Sequence, residues 1–416
     1  MRILGLAESD SYLKWAAALL GRAPSGWETH LRAVQGALAV STSQLRAAVD
    51  GTPFTPGDVT RIHFARVAEE VRRMRPDAVL VAATGPLARL LMEAVARVEP
   101  RPVLVSGLPG ISIPATRLAL DRRHQADLMI LHSTRELREF GALAAKHGWD
   151  HRLALSTLPF AQVARADPAE GAARTDLVFA AQAKVPRSEG DRTRIARMLV
   201  RAAQADPSRR VVLKLRGLAG EQQTHHEDLP YPELLARLGS VPPNLVVATD
   251  PMGRALQTAQ GLVTVSSTAA IEAVTQGVPV IALDAFGVSA RLINTVFVGS
   301  GLFGDEDDVI ARRFRTPDAE WLADNYFHDP SQDDWADVLM GLVRRRREGS
   351  LPRRDPLPRG GGALREAWHR KRALGDHDRS LAGALALVVG VPARAAVRTA
   401  RRVTRRVRAA ASDAAR

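Results

Sequence analysis

Short apolar runs alternate with amphipathic stretches along most of the chain. The first part contains RILGL, AVLVAA, RPVLVS and LMILHS, and the second part contains DLVFAA, RVVLKL, NLVVAT, LVTVSS and VPVIAL. Between these runs lie stretches with helical spacing, such as PLARLLMEAVARV and DRTRIARMLVRAAQAD. Buried strands that alternate with helices are typical of parallel sheets covered on both faces. The pattern therefore predicts an α/β fold of two doubly wound, Rossmann-like domains that face a cleft.

The same pattern sets the expected domain limits. We predict a first domain over residues 1–160 and a second domain with closing helices over 176–345. The polar, proline-bearing segment between them predicts a linker over 161–175. Residues 346–416 are rich in Pro, Gly and Arg, and predict a partly disordered tail that carries an amphipathic helix.

The stretch GLVTVSSTAAIEAVTQGVPVIALDAFG, residues 261–287, predicts one strand-helix-strand unit. Leu262 to Val265 form its first strand, a helix begins at Thr268, and Val278 to Leu283 form the second strand. Ser266, Ser267 and Thr268 thus stand at the carboxyl end of a parallel strand, where ligands and anions bind in such sheets. A phosphate site and a simple helix N-cap both fit these residues.

Other predicted strand ends in both halves carry residues suited to ligand contact. In the second half, Lys214 and Arg216 alternate with leucines, which places both cations on one side of a strand end. Two cations near the serines suit a diphosphate or phosphodiester, whereas pairing with nearby carboxylates is the structural alternative. In the first half the loops are ESDS, ATGP and SGLPGISIP, followed by a segment with Arg122 and Arg123.

Composition and charge narrow the possible functions. The chain has no cysteine, which excludes disulfides, thiolate metal sites and cysteine nucleophiles. The net charge is +13, but residues 344–416 hold 20 Lys or Arg against 6 Asp or Glu, so the remainder is nearly neutral. A nucleic-acid partner is therefore not expected. The first twenty residues lack the layout of a signal peptide, and the apolar run LAGALALVVGV is too short to span a bilayer, so we expect a cytoplasmic protein.

Two motifs could mislead. GSGLFG, residues 299–304, matches a dinucleotide-binding fingerprint and follows a predicted strand, NTVFV. Four carboxylates follow at 305–308, where they would repel a pyrophosphate. The same DEDD run has the spacing of a divalent-metal site, although a solvated helix start fits it better. We therefore expect neither a cofactor nor a metal.

Several of these segments together resemble GT-B glycosyltransferases, and more closely bacterial capsule and polysialyltransferase-type enzymes and actinobacterial glycosyltransferases of undetermined specificity. The segments are SDSYLKWA, GLPGISIPATRLALDRRHQADLMILHS, LVFAAQAKVP, VVLKLRG with THHE, VSSTAAIEAVTQGVPVI and VFVGSGLFG. The resemblance covers about residues 1–310. It implies a metal-independent glycosyltransferase whose second domain holds a nucleotide-sugar donor, CMP- or UDP-linked, and whose first domain holds the acceptor.

Site residues follow from this division. The resemblance places Ser266, Ser267 and Thr268 at the donor phosphate and Glu272 at the ribose. Related enzymes have a His-Pro pair near the phosphate, where this chain has THHED with no proline after either histidine. The expected donor-binding residues are Gln182, Lys214, Arg216, His226, Ser266, Ser267, Thr268 and Glu272. The expected acceptor cleft is formed by Ser9, Gly85, Pro109, Gly110 and Arg123.

Sugar transfer also needs a base that takes the proton of the acceptor hydroxyl. Asp10 is the first candidate and Glu8 the second, because both follow the first strand, with His225 as a further catalytic candidate. Asp10 or Ser9 could instead only cap a helix that begins at Tyr12.

We therefore expect transfer of a sugar to a cell-surface glycan or a lipid-linked precursor. Arg394, Arg398, Arg401, Arg405 and Arg408 form one helical stripe, which predicts peripheral association with an anionic membrane. A binding protein without catalysis, for a nucleotide-sugar or nucleic acid, and a nucleotide-sugar epimerase are the alternatives.

Overall fold

The computed structural model describes residues 1–38, 40–159, 174–215, 229–358 and 361–390. Within these ranges the chain forms two parallel sheets, each covered by helices, as the sequence pattern predicts. The expected linker, 161–175, falls largely outside the described residues. Arg216, His225, His226 and the arginine stripe at 394–408 lie outside them entirely.

The first sheet has seven parallel strands in the order β3-β2-β1-β4-β5-β6-β7. Their bounds are β1 Arg2–Ala7, β2 Glu28–Gln35, β3 Val59–His63, β4 Ala78–Ala82, β5 Val103–Gly107, β6 Leu128–Leu131 and β7 Leu153–Leu155. The central strands β4 and β5 are buried along their whole length because helices cover both faces. Strands β2 and β3, near one edge, contain exposed or half-buried residues among their buried ones.

The second sheet has six parallel strands in the order β10-β9-β8-β11-β12-β13. Their bounds are β8 Asp176–Ala180, β9 Val211–Lys214, β10 Leu245–Ala248, β11 Ala259–Thr264, β12 Val280–Leu283 and β13 Phe303–Gly304. Strand β8 is buried throughout, and its Asp176 is held by a bidentate ion pair with Arg210. Both sheets therefore share the strand order of the doubly wound fold, in which the order reverses beside the first strand.

Helices cover the faces of both sheets. Their bounds are α1 Ser9–Leu20, α2 Thr42–Val49, α3 Val67–Met74, α4 Gly85–Val95, α5 Arg117–Arg122, α6 Thr134–Lys146, α7 Glu189–Ala205, α8 Tyr231–Arg237, α9 Met252–Gln257, α10 Ala269–Thr275, α11 Glu306–Ile310, α12 Ala319–Asp324, α13 Trp335–Arg347 and α14 Gly362–Leu374. A further helix spans 381–390. No helix in the described part of the chain is both long and apolar enough to cross a membrane.

The chain crosses back to the first sheet after completing the second. Helix α13 packs on β5, β6 and β7, and its Trp335 and Leu339 are buried in the core of the first sheet. Residues 351–358 continue along this half, where the carbonyls of Pro352 and Leu357 accept hydrogen bonds from Arg101 and Arg89. Side chains of the first half therefore bind the backbone of this part of the predicted tail.

The segment that contains GSGLFG also differs from expectation. NTVFV was predicted as a strand, but Asn294–Phe297 form a 3₁₀ helix. Asp305 and Asp308 form a capping box at the start of α11, and Asp308 pairs with Arg313 and Arg315. This run of acids is therefore a capped and ion-paired helix start.

Candidate functional site

The two sheets carry equivalent hydrogen bonds at equivalent places. In the first sheet the strand order reverses between β1 and β4, and Glu8, after β1, accepts from Thr84, after β4. In the second sheet it reverses between β8 and β11, and Gln182, after β8, accepts from the backbone N–H of Ser266, after β11. Such reversal points are where ligands bind in doubly wound folds. Both halves therefore present a polar pair at the expected ligand position.

Glu8 is the most perturbed carboxyl of this edge. Its side chain is buried, with 1% of the residue exposed, and its Oε2 lies 2.6 Å from Thr84 Oγ1 and 3.2 Å from Thr84 N. Burial raises the pKa of Glu8 from 4.5 to about 7, and the two hydrogen bonds from Thr84 offset part of that rise. A carboxyl with this pKa can take up and release a proton near neutral pH.

The start of α1 differs from the sequence-based expectation. The helix begins at Ser9 and not at Tyr12, and Glu8 is the N-cap residue, without a capping bond from its side chain. The capping role considered for Asp10 or Ser9 is therefore wrong: both lie in the first turn. Ser9 has a φ of 64°, a left-handed backbone conformation that is energetically unfavourable for residues other than glycine. Its buried Oγ has no hydrogen-bond partner among the described residues. Asp10 is half-buried beside it.

On the second sheet the three hydroxyl residues have different local roles. Ser266 is buried and lies against Gln182, whose Nε2 donates to its Oγ at 3.2 Å. Ser267 is half-buried; its N–H donates to Thr264 Oγ1 and its Oγ accepts from Ala269 N. Thr268 is the N-cap residue of α10, but its hydroxyl makes no capping bond. The helix thus begins one residue later than predicted, and the capping alternative fits Ser267.

Lys214 ends strand β9, next to β8. Its backbone pairs in register with Ala180, two residues before Gln182. The side chain is buried, with 6% of the residue exposed, and its Nζ donates to the carbonyl of Leu215. The ammonium group is therefore buried at the end of β9, against the backbone of the next residue.

The loop after β5 brings the two halves together. Gly110 abuts Thr268: a Cβ on Gly110 would lie 2.9 Å from the Thr268 Cγ2 atom. Pro109, Gly110 and Glu272 are all half-buried here. The expected acceptor loop and the expected donor residues are thus in direct contact.

Arg123 does not line the cleft, which corrects the sequence-based expectation. It is buried, with 2% exposed, and donates to Ser106 Oγ, Tyr12 OH and the carbonyl of Ala83. These partners come from three separate segments, so the hydrogen bonds of Arg123 hold together the segment after β4, the end of β5 and helix α1. The neighbouring Arg122 lies against Gly85, with its Cγ 3.0 Å from a Cβ built there.

A buried network that sequence reasoning missed fixes the loop after β5. Glu136 is fully buried and accepts from the N–H and hydroxyl of Ser112, the N–H of His132 and the hydroxyl of Tyr326. Burial, with Glu136 alongside, raises the pKa of Tyr326 well above its ordinary value. Because Tyr326 follows the second sheet, this network joins the two halves. Among the described residues, no cluster of acidic or histidine side chains has the arrangement of a metal site.

Comparisons with known proteins place this geometry in context. The model of a family described as "Putative glycosyltransferase (DUF6716)" matches residues 3–342. A "putative UDP-N-acetylglucosamine 2-epimerase" from Listeria monocytogenes is 13% identical, with a TM-score of 0.56, over 86% of this chain and 99% of its own. The UDP-GlcNAc 2-epimerase of Methanocaldococcus jannaschii, in complex with UDP-GlcNAc and UDP, is 10% identical, with a TM-score of 0.52, over 83% and 100%. These similarities show the fold alone. No curated protein sequence matches this chain.

Proposed function

We propose that this chain, which belongs to the family described as "Putative glycosyltransferase (DUF6716)", transfers a sugar from a nucleotide-sugar donor to a cell-surface glycan or its precursor, without a metal ion. The observation that supports the proposal is the contact of Gly110 with Thr268, because it brings the loop after β5 of the first half against the start of α10 in the second half. A two-substrate transfer needs this arrangement, since donor and acceptor must meet with their reacting atoms about 3 Å apart.

The second sheet is the proposed donor side. Ser267 and Thr268 would contact the phosphates, Glu272 the ribose, and Gln182 would hold Ser266 in place through the bonds at 2.9 and 3.2 Å. Lys214, at the end of β9, would add positive charge as the nucleotide leaves. The donor roles expected for Arg216 and His226, and the catalytic role expected for His225, stay predictions outside the described residues.

The first sheet is the proposed acceptor side, lined by Ser9, Gly85, Pro109 and Gly110. The acceptor oxygen would attack the anomeric carbon, the bond from that carbon to the donor phosphate would break, and a base would take the hydroxyl proton. Between the two candidates, burial and a pKa near neutrality favour Glu8 over Asp10 as this base. A glycan or lipid-linked acceptor and the kinship to capsule and polysialyltransferase-type enzymes stay predictions from the sequence resemblance. A cytoplasmic location stays a prediction from the layout of the first twenty residues and the length of the apolar run.

Product analysis tests the reaction class. The purified chain is incubated with UDP-, CMP- and GDP-sugars, with and without glycan acceptors, in EDTA. We expect free nucleotide together with an enlarged acceptor. An isomerised nucleotide-sugar formed without acceptor would instead identify an epimerase, and tight binding without turnover of any donor would identify a binding protein.

The substitution Gln182→Glu tests the donor side. It keeps the shape of the side chain and the acceptor for Ser266 N–H, but places a negative charge where we propose that phosphates bind. Nucleotide affinity measured by calorimetry should fall by about tenfold or more. Gln332→Glu, the same charge change at an exposed position of the second half's closing segment, is the matched control. Equal nucleotide affinities of Gln182→Glu and Gln332→Glu would show that the phosphates do not bind at this edge.

A further inference from the structure

The helix at 381–390 exposes four of its five large apolar side chains. Leu381, Leu385, Val388 and Val389 are 83%, 63%, 72% and 53% exposed. Their spacing of four, seven and eight residues from the first puts them on one face of the helix. The ten residues, LAGALALVVG, include no polar side chain. A contiguous exposed apolar face of this kind marks an interaction surface.

The opposite face shows that this orientation is built into the fold. Gly383, Ala386 and Gly390 follow the inner side, and a Cβ on Gly390 would lie 2.4 Å from the Trp368 ring. Only small residues therefore allow the helix to pack this closely on α14. Its first turn is fixed by Ser380, whose Oγ accepts from Gly383 N at 3.1 Å. The helix could not turn its leucines inward without a clash against Trp368.

This helix and α14 are anchored at the carboxyl edge of the first sheet. Helix α14 packs on α4, and the carbonyl of Ala373 accepts from Ala37 N at 3.1 Å, just after β2. The His377 ring lies 5.6 Å from that of His63, the last residue of β3. Gly36, between these contacts and the site, would place a Cβ 3.0 Å from Glu8 Oε1. The exposed face thus belongs to the part of the molecule next to Glu8.

We propose that this face docks on an anionic membrane surface, with Leu381, Leu385, Val388 and Val389 inserted among the lipids. Charge selects this partner. Exposed arginines precede the helix, three on α14 (Arg365, Arg370, Arg372) and one just before the helix (Arg379), and residues 391–416, which follow it in sequence, contain eight arginines against one aspartate. Apolar residues beside dense positive charge match the headgroup boundary of anionic lipid. The same charge would oppose the stacking of a second copy on this face.

Vesicle sedimentation with the full chain tests the docking surface. Wild-type protein should bind phosphatidylcholine vesicles that contain phosphatidylglycerol, and bind pure phosphatidylcholine much more weakly. The double variant Leu385→Gln, Val388→Gln leaves every charge in place and should lower the partition coefficient by about tenfold or more. Leu118→Gln, at a position on α5 that is 59% exposed, should bind like wild type. Unchanged melting temperatures would show that all variants are folded.

The proposal does not depend on the proposed function, because vesicle binding needs no catalysis, and calorimetry with UDP should give the same affinity for both variants. It is overturned if wild type ignores phosphatidylglycerol, or if the double variant binds vesicles as well as Leu118→Gln does. It is also overturned if ultracentrifugation shows that the wild type is a dimer and the double variant a monomer, while neither protein binds vesicles. That last result would assign the face to self-association.

Discussion

Replacing Glu8 by glutamine should stabilise the protein above neutral pH while it removes the proposed base. The pKa of Glu8 is about 7 in the folded protein against 4.5 as its ordinary value, because burial disfavours the carboxylate. At about 1.4 kcal/mol per pKa unit, this difference amounts to about 3 kcal/mol. Glutamine keeps an oxygen that can accept from Thr84 N and Oγ1, but carries no charge to desolvate.

The direction of the pH dependence follows from the raised pKa. The folded protein holds the Glu8 proton more tightly than the unfolded chain does, so this contribution to stability is fully present below pH 4.5 and is lost as pH rises through about 7. Wild type and Glu8→Gln should therefore have nearly equal free energies of unfolding at pH 4. At pH 8 the variant should be more stable by about 3 kcal/mol, the full difference between the two pKa values.

Urea denaturation followed by tryptophan fluorescence at pH 4 and pH 8 gives the stability difference. Transfer assays on the same samples should show a loss of about a hundredfold or more, in the range typical for removal of a general base. Asp10→Asn is measured beside it, because transfer that fails only in this variant would move the base to Asp10. If Glu8→Gln gains no stability at pH 8, the desolvation of Glu8 is contradicted. If Glu8→Gln transfers sugar at the wild-type rate, the role of Glu8 as the base is contradicted.

Two further predictions concern neighbours of the same site. The Thr84 hydroxyl donates to Glu8 at 2.6 Å and thereby lowers the pKa of Glu8, so Thr84→Val should raise this pKa and move the rising limb of the pH-rate profile to higher pH. An unchanged limb would show that the titration of Glu8 does not control transfer. Gly110→Ala places a methyl group 2.9 Å from Thr268 Cγ2 and should lower kcat with little change in nucleotide affinity. Adding Thr268→Ser, which removes that Cγ2 atom and keeps the hydroxyl, should restore kcat, and failure of this rescue would show that the contact does not set the approach of the two halves.

The sequence predicts continuously apolar strands better than strands that carry polar residues. All five apolar runs assigned to the second half are strands of its sheet, including the partly exposed edge strand β10. Strands β2 and β3 were missed: ETHLRAVQ and VTRIH carry polar residues that face solvent near the sheet edge. Strand β13 has only two residues, too few to form a pattern. A strand is therefore found from the sequence when its residues are apolar throughout, as in β10, and is missed when polar residues interrupt the pattern, as in β2 and β3.

Side-chain roles that depend on distant partners could not be predicted. Arg123 follows a loop that was expected to line the cleft, yet its guanidinium donates hydrogen bonds to Tyr12, 111 residues away, and to Ala83 and Ser106. In the sequence Glu136 looks like an ordinary carboxylate on a helix. In the structure it accepts a hydrogen bond from Tyr326, which lies 190 residues later in the chain. Pro352 and Leu357 lie in a segment rich in Pro and Arg, yet their carbonyls accept hydrogen bonds from Arg101 and Arg89 of the first half. Composition describes what a segment can do alone, whereas these contacts depend on the whole fold.

The chemical difference between the two strand edges explains how one duplicated geometry could serve two substrates. Each edge has a side chain after its first strand that accepts a backbone N–H after its fourth: Glu8 from Thr84 and Gln182 from Ser266. Glutamate and glutamine have the same shape, so the backbone tolerates either residue, and only the charge differs. A carboxylate beside a diphosphate would repel it, which favours the neutral amide on the proposed donor side. A hydroxyl acceptor brings no charge but must lose a proton, which favours a titratable carboxyl on the other side. The difference in charge between the two edges thus supports the proposed assignment of donor and acceptor to the two halves.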